Sequence, residues 1–239
     1  MFDDEHLKSW RDAMVVGQLP SPVRADRWQA LRAGVVNLWE FETTEYWYAD
    51  GWAQLMGSNE TGKSSLMALT TLIPWLADVA SSNIDTLGRS GKTFRYYVEP
   101  TGRDADRREA TASTHHGWLW VEYGRRTEQD EEFFTTLLFA EARSAAADMR
   151  LHWCTLSGGA RVRGGCDLLV ARRVVLPKDV TAEGFTRHQS AAAYRREVAS
   201  QLLGSTAEKL EAVGKLLRVT RTPKLGEQLQ VRFISDRLH

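Results

Sequence analysis

Eight consecutive residues have the types and spacing of a phosphate-binding loop. They fit the pattern GxxxxGK[ST] in full and are Gly57, Ser58, Asn59, Glu60, Thr61, Gly62, Lys63 and Ser64. Because glycine lacks a Cβ atom, such a loop can turn its backbone N–H groups inward around a phosphate. Lys63 would neutralise the β and γ phosphates, and Ser64 would place its hydroxyl on Mg²⁺. The loop therefore predicts nucleotide binding.

The residues on either side favour the same interpretation. Trp52 to Met56 is a short apolar run, typical of the buried strand that precedes such a loop, and Ser64 to Ala77 has the pattern of the helix that follows it. The alternative is a solvated Gly/Ser turn in front of an ordinary helix.

Length and composition predict one α/β domain. The chain has 239 residues, 43% of them hydrophobic, which is enough for a sizeable core. Lysines and arginines number 31, as do the acidic residues, so any contact with DNA must come from a local patch. The sequence contains no long apolar run and no signal-peptide pattern at its start, which predicts a cytoplasmic protein without membrane contact. Cys154 and Cys166 are expected to be free core thiols.

The order of patterns along the chain predicts an arm followed by a mostly antiparallel domain. Residues 1–26 form the expected arm, with a helix over Glu5 to Val16, and residues 27–239 form the domain. Strands are expected at 34–41, 117–123, 132–140, 151–156 and 167–176, the last two paired with each other through a Gly-rich turn. Helices are expected at 191–203 and 206–217, separated by Gly204 as a cap. Pro74 is expected to kink or end the first helix.

Two further patterns bear on hydrolysis. Leu156 to Gly159 spells most of the LSGGQ signature of ATP-binding-cassette proteins, but the residues after it favour a hairpin turn rather than a helix. The run Trp118 to Glu122 comes closest to a Walker B strand, yet it offers a single carboxylate. Without a carboxylate pair, no group is identified that could orient the attacking water. The sequence predicts nucleotide binding more strongly than hydrolysis.

An ordered set of short runs covers nearly the whole chain and carries a resemblance to a known family. The runs are Arg27-Trp28, Arg32 to Trp39, Gly57 to Ser65, Leu72 to Leu76, Leu87-Gly88, Gly117 to Arg125, Ala193 to Arg196, Leu216 to Arg218 and Thr222 to Leu225. In this order they resemble the N-terminal head lobe of bacterial SMC-like, MukB-like ATPases, above all the SMC-like subunits of Wadjet-type antiplasmid defence systems. The resemblance implies an α/β P-loop NTPase fold of the ABC/SMC head type, with a mixed, partly antiparallel sheet packed on helices.

The resemblance also implies partners and cofactors. It implies an ATP- and Mg²⁺-binding half-site that is completed by a second ATPase head or a C-terminal lobe carrying the signature and Walker B. A kleisin-like subunit and DNA are further implied partners. The positions that match nucleotide contacts of the family are Gly57, Asn59, Gly62, Lys63, Ser64 and Ser65. A magnesium-contacting glutamine has only weak candidates here, Gln228 and Gln230.

Other residues leave alternatives open. DNA contact would come from Arg125 with Arg126, Arg161 with Arg163, and Arg172 with Arg173, although such pairs are usually solvated surface. An adenine could stack on Trp39, Tyr46 or Tyr48, although aromatic residues on strands usually belong to the core. His115 and His116 are expected at the entry to a strand rather than on a metal.

Two other functions compete with the ATPase half-site. One is a self-contained P-loop kinase whose lid would draw on Arg89, Lys92, Arg95, Arg103, Arg107 and Arg108. A kinase should have parallel strands after the loop, whereas a head lobe should have antiparallel ones. The other is a degenerate module that keeps the loop and serves only in protein interaction.

Overall fold

A computed structural model of the protein describes residues 17–57, 62–84, 91–99 and 113–220. Ten strands lie in these ranges: β1 (Gln29–Leu38), β2 (Phe41–Trp47), β3 (Thr114–Arg126), β4 (Glu131–Arg143), β5 (Met149–Ser157), β6 (Arg161–Val162), β7 (Gly165–Cys166), β8 (Leu169–Val170), β9 (Arg173–Val174) and β10 (Phe185–Arg187). Six helices accompany them: α1 (Lys63–Thr71), α2 (Ile73–Leu76), α3 (Ser81–Ile84), α4 (Phe94–Val98), α5 (Ala191–Leu203) and α6 (Ala207–Thr220). The helix expected over Glu5 to Val16 lies outside the described residues.

A six-stranded sheet in the order β10-β5-β4-β3-β1-β2 forms the centre of the fold. Every neighbouring pair in it is antiparallel. The protein is thus an α/β structure, and its antiparallel strands were predicted from the sequence. The mixed sheet implied by the resemblance differs from this one, since none of the five strand pairs described in it is parallel. Strands β3 and β4 have thirteen residues each and pair over their full length, so they form the rigid middle of the sheet.

The two faces of the sheet bury separate hydrophobic cores because side chains alternate along each strand. One face carries Val35, Leu119 and Leu138 and packs against the helices. The opposite face carries Trp118 and Phe139 and is covered by the short strands β6 to β9 and the chain around them. Trp118 also donates an indole N–H hydrogen bond to the carbonyl of Val175 in that cover, at 2.8 Å. The fold therefore has three layers, with the sheet in the middle.

The pairing expected for residues 167–176 is wrong. Strand β5 pairs with β4 on one side and with the short β10 on the other, while residues 169–174 form a small hairpin of their own. The apolar residues of this segment, such as Leu168, pack onto the second face of the sheet instead of extending its edge. This segment is therefore held by burial of its side chains against the second face of the sheet, and not by ladder hydrogen bonds to β5 as its strand pattern suggested.

The predicted helix boundaries are largely confirmed. The first helix is interrupted at Leu72, and Pro74 lies in the first turn of the short helix that follows, where its missing N–H costs little. Helix α5 begins after Ser190, whose hydroxyl accepts a hydrogen bond from the Ala193 N–H, and ends at Gly204 in the left-handed conformation. None of the helices in the described ranges has the length and apolar character needed to cross a membrane.

A fully buried carboxylate, Glu122 on β3, is held by two arginines. Arg32 donates to its two oxygens at 3.0 and 2.6 Å, and Arg161 donates to them at 3.2 and 2.5 Å. The remaining guanidinium N–H groups reach the carbonyls of Val162 and Pro20. Burial alone would raise the pKa of Glu122, but the hydrogen bonds and charges of the two arginines outweigh it and lower that pKa. Glu122 thus joins the sheet, its cover and the N-terminal segment.

Residues 17–26, the described part of the expected arm, lie against the domain. Gln29 accepts hydrogen bonds from the backbone N–H groups of Val23 and Arg24 through its side-chain oxygen. Arg24 forms a bidentate pair with Asp50, and its carbonyl accepts from the Arg126 N–H at 2.7 Å. These contacts fasten the segment to the ends of β1 and β3.

Replacing Glu122 should cost far more stability than replacing an exposed partner of the same chemistry. Glu122→Gln removes the carboxylate that both buried guanidinium groups share and leaves only Glu45, 3.4 Å from Nη1 of Arg32, as a counter-charge. We expect a loss of about 3–5 kcal/mol in the free energy of unfolding. The matched control is Glu132→Gln, since Glu132 pairs with Arg125 at 2.6 Å while both side chains are more than 40% exposed. For it we expect a loss of no more than about 1 kcal/mol. Urea unfolding at neutral pH measures both.

The same carboxylate gives a pH dependence with a defined sign. Because its pKa in the folded protein lies below the ordinary 4.5, its stabilisation is complete above that value and disappears as the pH falls through the lowered pKa. Unfolding curves from pH 6 downward should therefore converge for wild type and Glu122→Gln. A constant difference between them across this range would contradict the assignment.

Candidate functional site

The phosphate-binding pattern ends at the first turn of α1, as the sequence predicted. Gly62 immediately precedes the helix and has a left-handed backbone, with φ of 78°. Its carbonyl accepts the first helical hydrogen bond, from the Leu66 N–H at 2.8 Å. The helix begins at Lys63, one residue before the expected start. Ser58, Asn59, Glu60 and Thr61 lie outside the described residues.

The first turn of α1 has the electrostatic character of an anion site. It contains no acidic residue, and Gly62 has no side chain that could cap the backbone N–H groups. Lys63 is half-buried, Ser64 is exposed and Ser65 is half-buried. Uncapped N–H groups and the positive end of the helix dipole attract negative charge. Lys63, Ser64 and the backbone here could accept a phosphate and its magnesium ion.

Gly62 lies against an aromatic wall that the sequence did not predict. A Cβ atom on Gly62 would be 2.2 Å from Cζ3 of Trp39 and 2.8 Å from Cζ of Phe41. Those two rings meet edge to face, with centroids 5.6 Å apart. Only glycine fits this position, both because of its left-handed backbone and because of this contact. The turn between β1 and β2 thus supports the last residue of the phosphate-binding loop.

Trp39 is held in an unfavourable state. Its φ of 51° is rare for a bulky residue, and its indole N–H is buried without a hydrogen-bond partner among the described residues. The backbone N–H donates to the carbonyl of Tyr97 at 2.5 Å, which ties the turn to α4. The ring is only 8% exposed and touches Gly62, so it offers no open face for an adenine.

Tyr46 and Tyr48 fix α1 to the edge of the sheet. The hydroxyl of Tyr46 lies 2.6 Å from Oγ1 of Thr70 and 3.0 Å from the hydroxyl of Tyr48. Thr70 in turn donates to the Leu66 carbonyl one helical turn back. Burial raises the pKa of Tyr48. These half-buried tyrosines position the helix, in agreement with the structural role that the sequence left open beside adenine stacking.

The strand expected immediately before the loop is not formed. Ala49 and Trp52 make an isolated bridge around a tight turn at Asp50 and Gly51, both left-handed, and residues 53–57 have no regular structure. Strand β2 is the last strand of the sheet, so this run has no neighbouring strand in the described part of the chain. Two of its apolar side chains stay exposed, Trp52 at 70% and Met56 at 83%, while Leu55 packs against the core.

The two patterns that touched on hydrolysis have structural roles here. Glu122, the carboxylate of the run closest to a Walker B strand, is fully buried in its double arginine pair. Ser157 ends β5, and Gly158 turns the chain with a φ of 89°, so the signature-like run opens no helix. This confirms the predicted turn in place of a signature helix, although β5 forms no hairpin with residues 167–176.

The candidate DNA-binding arginines separate into buried and exposed groups. Arg161 is buried with Glu122 and cannot face a nucleic acid, which corrects its inclusion in a basic rim. Arg163 is exposed and donates to both oxygens of Glu45, at 2.9 Å for its Nε atom. Arg172 and Arg173 are exposed at the β8–β9 turn. Arg125 pairs with Glu132 and lies over Trp28.

Of the proposed kinase lid, two residues are described. Arg95 donates to the carbonyls of Arg143 and Ala147 and to Glu99, so it braces the end of β4. Lys92 lies beside Trp39. Arg89, Arg103, Arg107 and Arg108 fall outside the described residues.

Two of the remaining sequence predictions can be compared with the described residues. His115 and His116 lie within β3, and the described ranges contain no cluster of three or more His, Cys, Asp or Glu residues that could hold a metal ion. Cys154 and Cys166 are free and buried, as predicted, and burial raises the pKa of Cys166 to about 11.

The chain matches no protein-family model and none of the curated proteins. The geometry of the site and the sequence motif are therefore the basis for a function.

Adding a methyl group at Gly62 should disturb the aromatic wall. The control is Gly51→Ala, because Gly51 also has a left-handed backbone, at φ of 82°, but nothing lies within 4 Å of its Cβ position. Both variants carry backbone strain of about 1–2 kcal/mol, and Gly62→Ala adds roughly 1–3 kcal/mol of overpacking against Trp39. In urea unfolding, the free energy of unfolding of Gly62→Ala should be well below that of Gly51→Ala. Equal losses would mean that Trp39 does not confine the loop.

Proposed function

We propose that this chain binds Mg·ATP through residues 57–65 and works as one half of an SMC-like ATPase head, with a P-loop NTPase fold. The observation that carries the proposal is the start of α1, where Gly62 turns the chain into a helix whose first turn has no acidic residue and no side-chain cap. Lys63 and Ser64 occupy the first two helical positions there. Bound magnesium would screen the phosphate charges, while Lys63 and the backbone N–H groups would orient them.

The sheet supports a head lobe rather than a self-contained kinase. A doubly wound kinase needs parallel strands joined by crossover helices. The neighbouring strands from β1 through β3 and β4 to β5 all pair antiparallel. Strands β3, β4 and β5 also follow one another directly in both the chain and the sheet. This topology favours the interpretation drawn from the sequence resemblance.

The exposed run before the loop supports a partner lobe. Residues 52–56 are apolar except for Gln54 and carry no ladder hydrogen bonds with a neighbouring strand in the described ranges, yet they lead directly into the loop. Met67, on the exposed side of α1, adds a further apolar side chain that is 44% exposed. Exposed apolar patches of this kind mark interaction sites. A C-terminal lobe that paired with residues 52–56 would complete the strand and bring the missing signature and Walker B groups.

The biological setting follows from the same resemblance. A head of this type would handle DNA or plasmids in the cytoplasm, in defence, with a kleisin-like subunit joining two heads. Arg163, Arg172 and Arg173 lie on the exposed cover of the second sheet face and are the residues through which this lobe would contact DNA.

Binding of Mg·ATP should depend on Lys63 and not on exposed lysines elsewhere in the chain. We expect Lys63→Ala to abolish Mg·ATP binding in titration calorimetry and to remove the ATP-induced increase in Tm. The control is Lys209→Ala, since Lys209 is exposed on α6. Unchanged affinity in Lys63→Ala would remove the nucleotide assignment. Absence of binding by the wild-type chain would favour a degenerate interaction module.

The chain by itself should turn ATP over very slowly. Its Glu122 is committed to Arg32 and Arg161, and the proposed catalytic groups belong to a partner. We expect a rate far below about 1 per second in a phosphate-release assay with the purified chain. Turnover near that rate, lost in Lys63→Ala, would contradict the half-site proposal and point to a complete enzyme.

A further inference from the structure

A second ammonium group lies one aromatic ring away from the phosphate-binding turn. The Nζ atom of Lys92 is 5.5 Å from the centroid of the Trp39 ring and 4.2 Å from that of Tyr96. Both distances are within the range of a cation–π contact. The same Trp39 ring touches Gly62. Lys92 is thus brought to the side of the loop by an element that follows α1 in the chain.

The segment that carries Lys92 is held in place by contacts with Trp39 and with the core. Trp39 donates its backbone N–H to Tyr97, and the two rings meet edge to face at 6.3 Å. Tyr96 and Tyr97 also meet edge to face, at 5.4 Å. Phe94 and Tyr97 are buried, so the segment that carries Lys92 is anchored in the core. The lysine side chain therefore extends from a fixed base.

Trp39 is costly for the fold, which makes its placement informative. It combines a left-handed backbone with a buried indole N–H that has no partner among the described residues. Strain of this kind is concentrated at functional sites. Glycine would avoid both costs, but it would leave Gly62 without its wall and Lys92 without its aromatic platform. The ring couples the loop to the lysine.

We propose that Lys92 is a second cation of the nucleotide site and contacts the terminal phosphate of a nucleoside triphosphate. The inference rests on the proposed function, because Lys63 and the start of α1 must hold the β and γ phosphates before a second cation can reach the terminal one. A lysine on a four-carbon stem can leave an aromatic face to meet a phosphate oxygen, which is a stronger partner. Since a diphosphate lacks that terminal group, Lys92 selects ATP over ADP.

The test compares the affinities of Mg·ATP and Mg·ADP for the full chain by titration calorimetry. Lys92→Met keeps an unbranched side chain that is one atom shorter and removes its charge, and Lys92→Arg keeps the charge. We expect Lys92→Met to weaken Mg·ATP about tenfold, which corresponds to one charge-assisted hydrogen bond, and to leave Mg·ADP nearly unchanged. Lys92→Arg should retain most of the affinity for ATP. The control is Lys178→Met, because Lys178 is exposed in the cover of the opposite sheet face and should affect neither nucleotide.

The outcomes separate this inference from the proposed function. Equal weakening of ATP and ADP by Lys92→Met would overturn the contact with the terminal phosphate, and so would unchanged affinity for both. If Lys63→Ala still abolishes binding in either case, the nucleotide site stands and only the role of Lys92 falls. If Lys63→Ala binds ATP like the wild type, both proposals fail. Near-UV circular dichroism of each variant without nucleotide should match the wild type, which shows that the aromatic wall is intact.

Discussion

The buried carboxylate of Glu122 is the constraint on which the rest of the structure depends. A charge removed from water is tolerated only when it is paired and fully hydrogen-bonded, and here Arg32 and Arg161 supply both requirements. Arg32 belongs to β1 and Arg161 to the cover of the second face, so one carboxylate fixes how two layers meet. Through the Pro20 carbonyl, Arg161 also brings the N-terminal segment into the same arrangement.

The buried ion pairs of Glu122 and the candidate nucleotide site lie in different parts of the molecule. Glu122 lies on the central strand β3 and serves stability, because both of its oxygens are occupied. The candidate nucleotide site lies at the opposite side of β1, where the sheet ends at β2 and α1 begins. The long strands β3 and β4 provide the rigid support, and the turn at Trp39 transmits it to Gly62. Rigid support of this kind is what a site needs to hold a phosphate without reorganising.

The sequence predicted those features that local chemistry decides. The helix start at the end of the phosphate-binding pattern, the break before Pro74 and the cap at Gly204 depend on neighbouring residues, and the structure has each of them. The antiparallel strands of the middle of the chain are also present. Strand pairing at the edge of the sheet could not be predicted from the sequence. Strand β5 pairs with β10 because residues 167–176 pack onto the face of the sheet instead. Trp39 contacts both Gly62 and Lys92, so this arrangement brings together three separate segments of the chain. No local sequence pattern predicts such contacts. One available signal was Glu122 itself, a charge inside an apolar strand that required a buried cation.

The irregular run before the loop links nucleotide and partner in the split-head proposal. Residues 53–57 have no ladder hydrogen bonds in the described part of the chain, although Leu55 packs against the core. Any further ordering of this run would cost conformational entropy of about 1–2 kcal/mol per residue. A partner strand laid along this run would meet that cost and would fix the chain entering the loop. A nucleotide bound at Gly62 and Lys63 would fix the same chain from its other end. Because each ligand would then bind a segment that the other has already ordered, their binding must be mutually reinforcing, and by the same free energy in both directions.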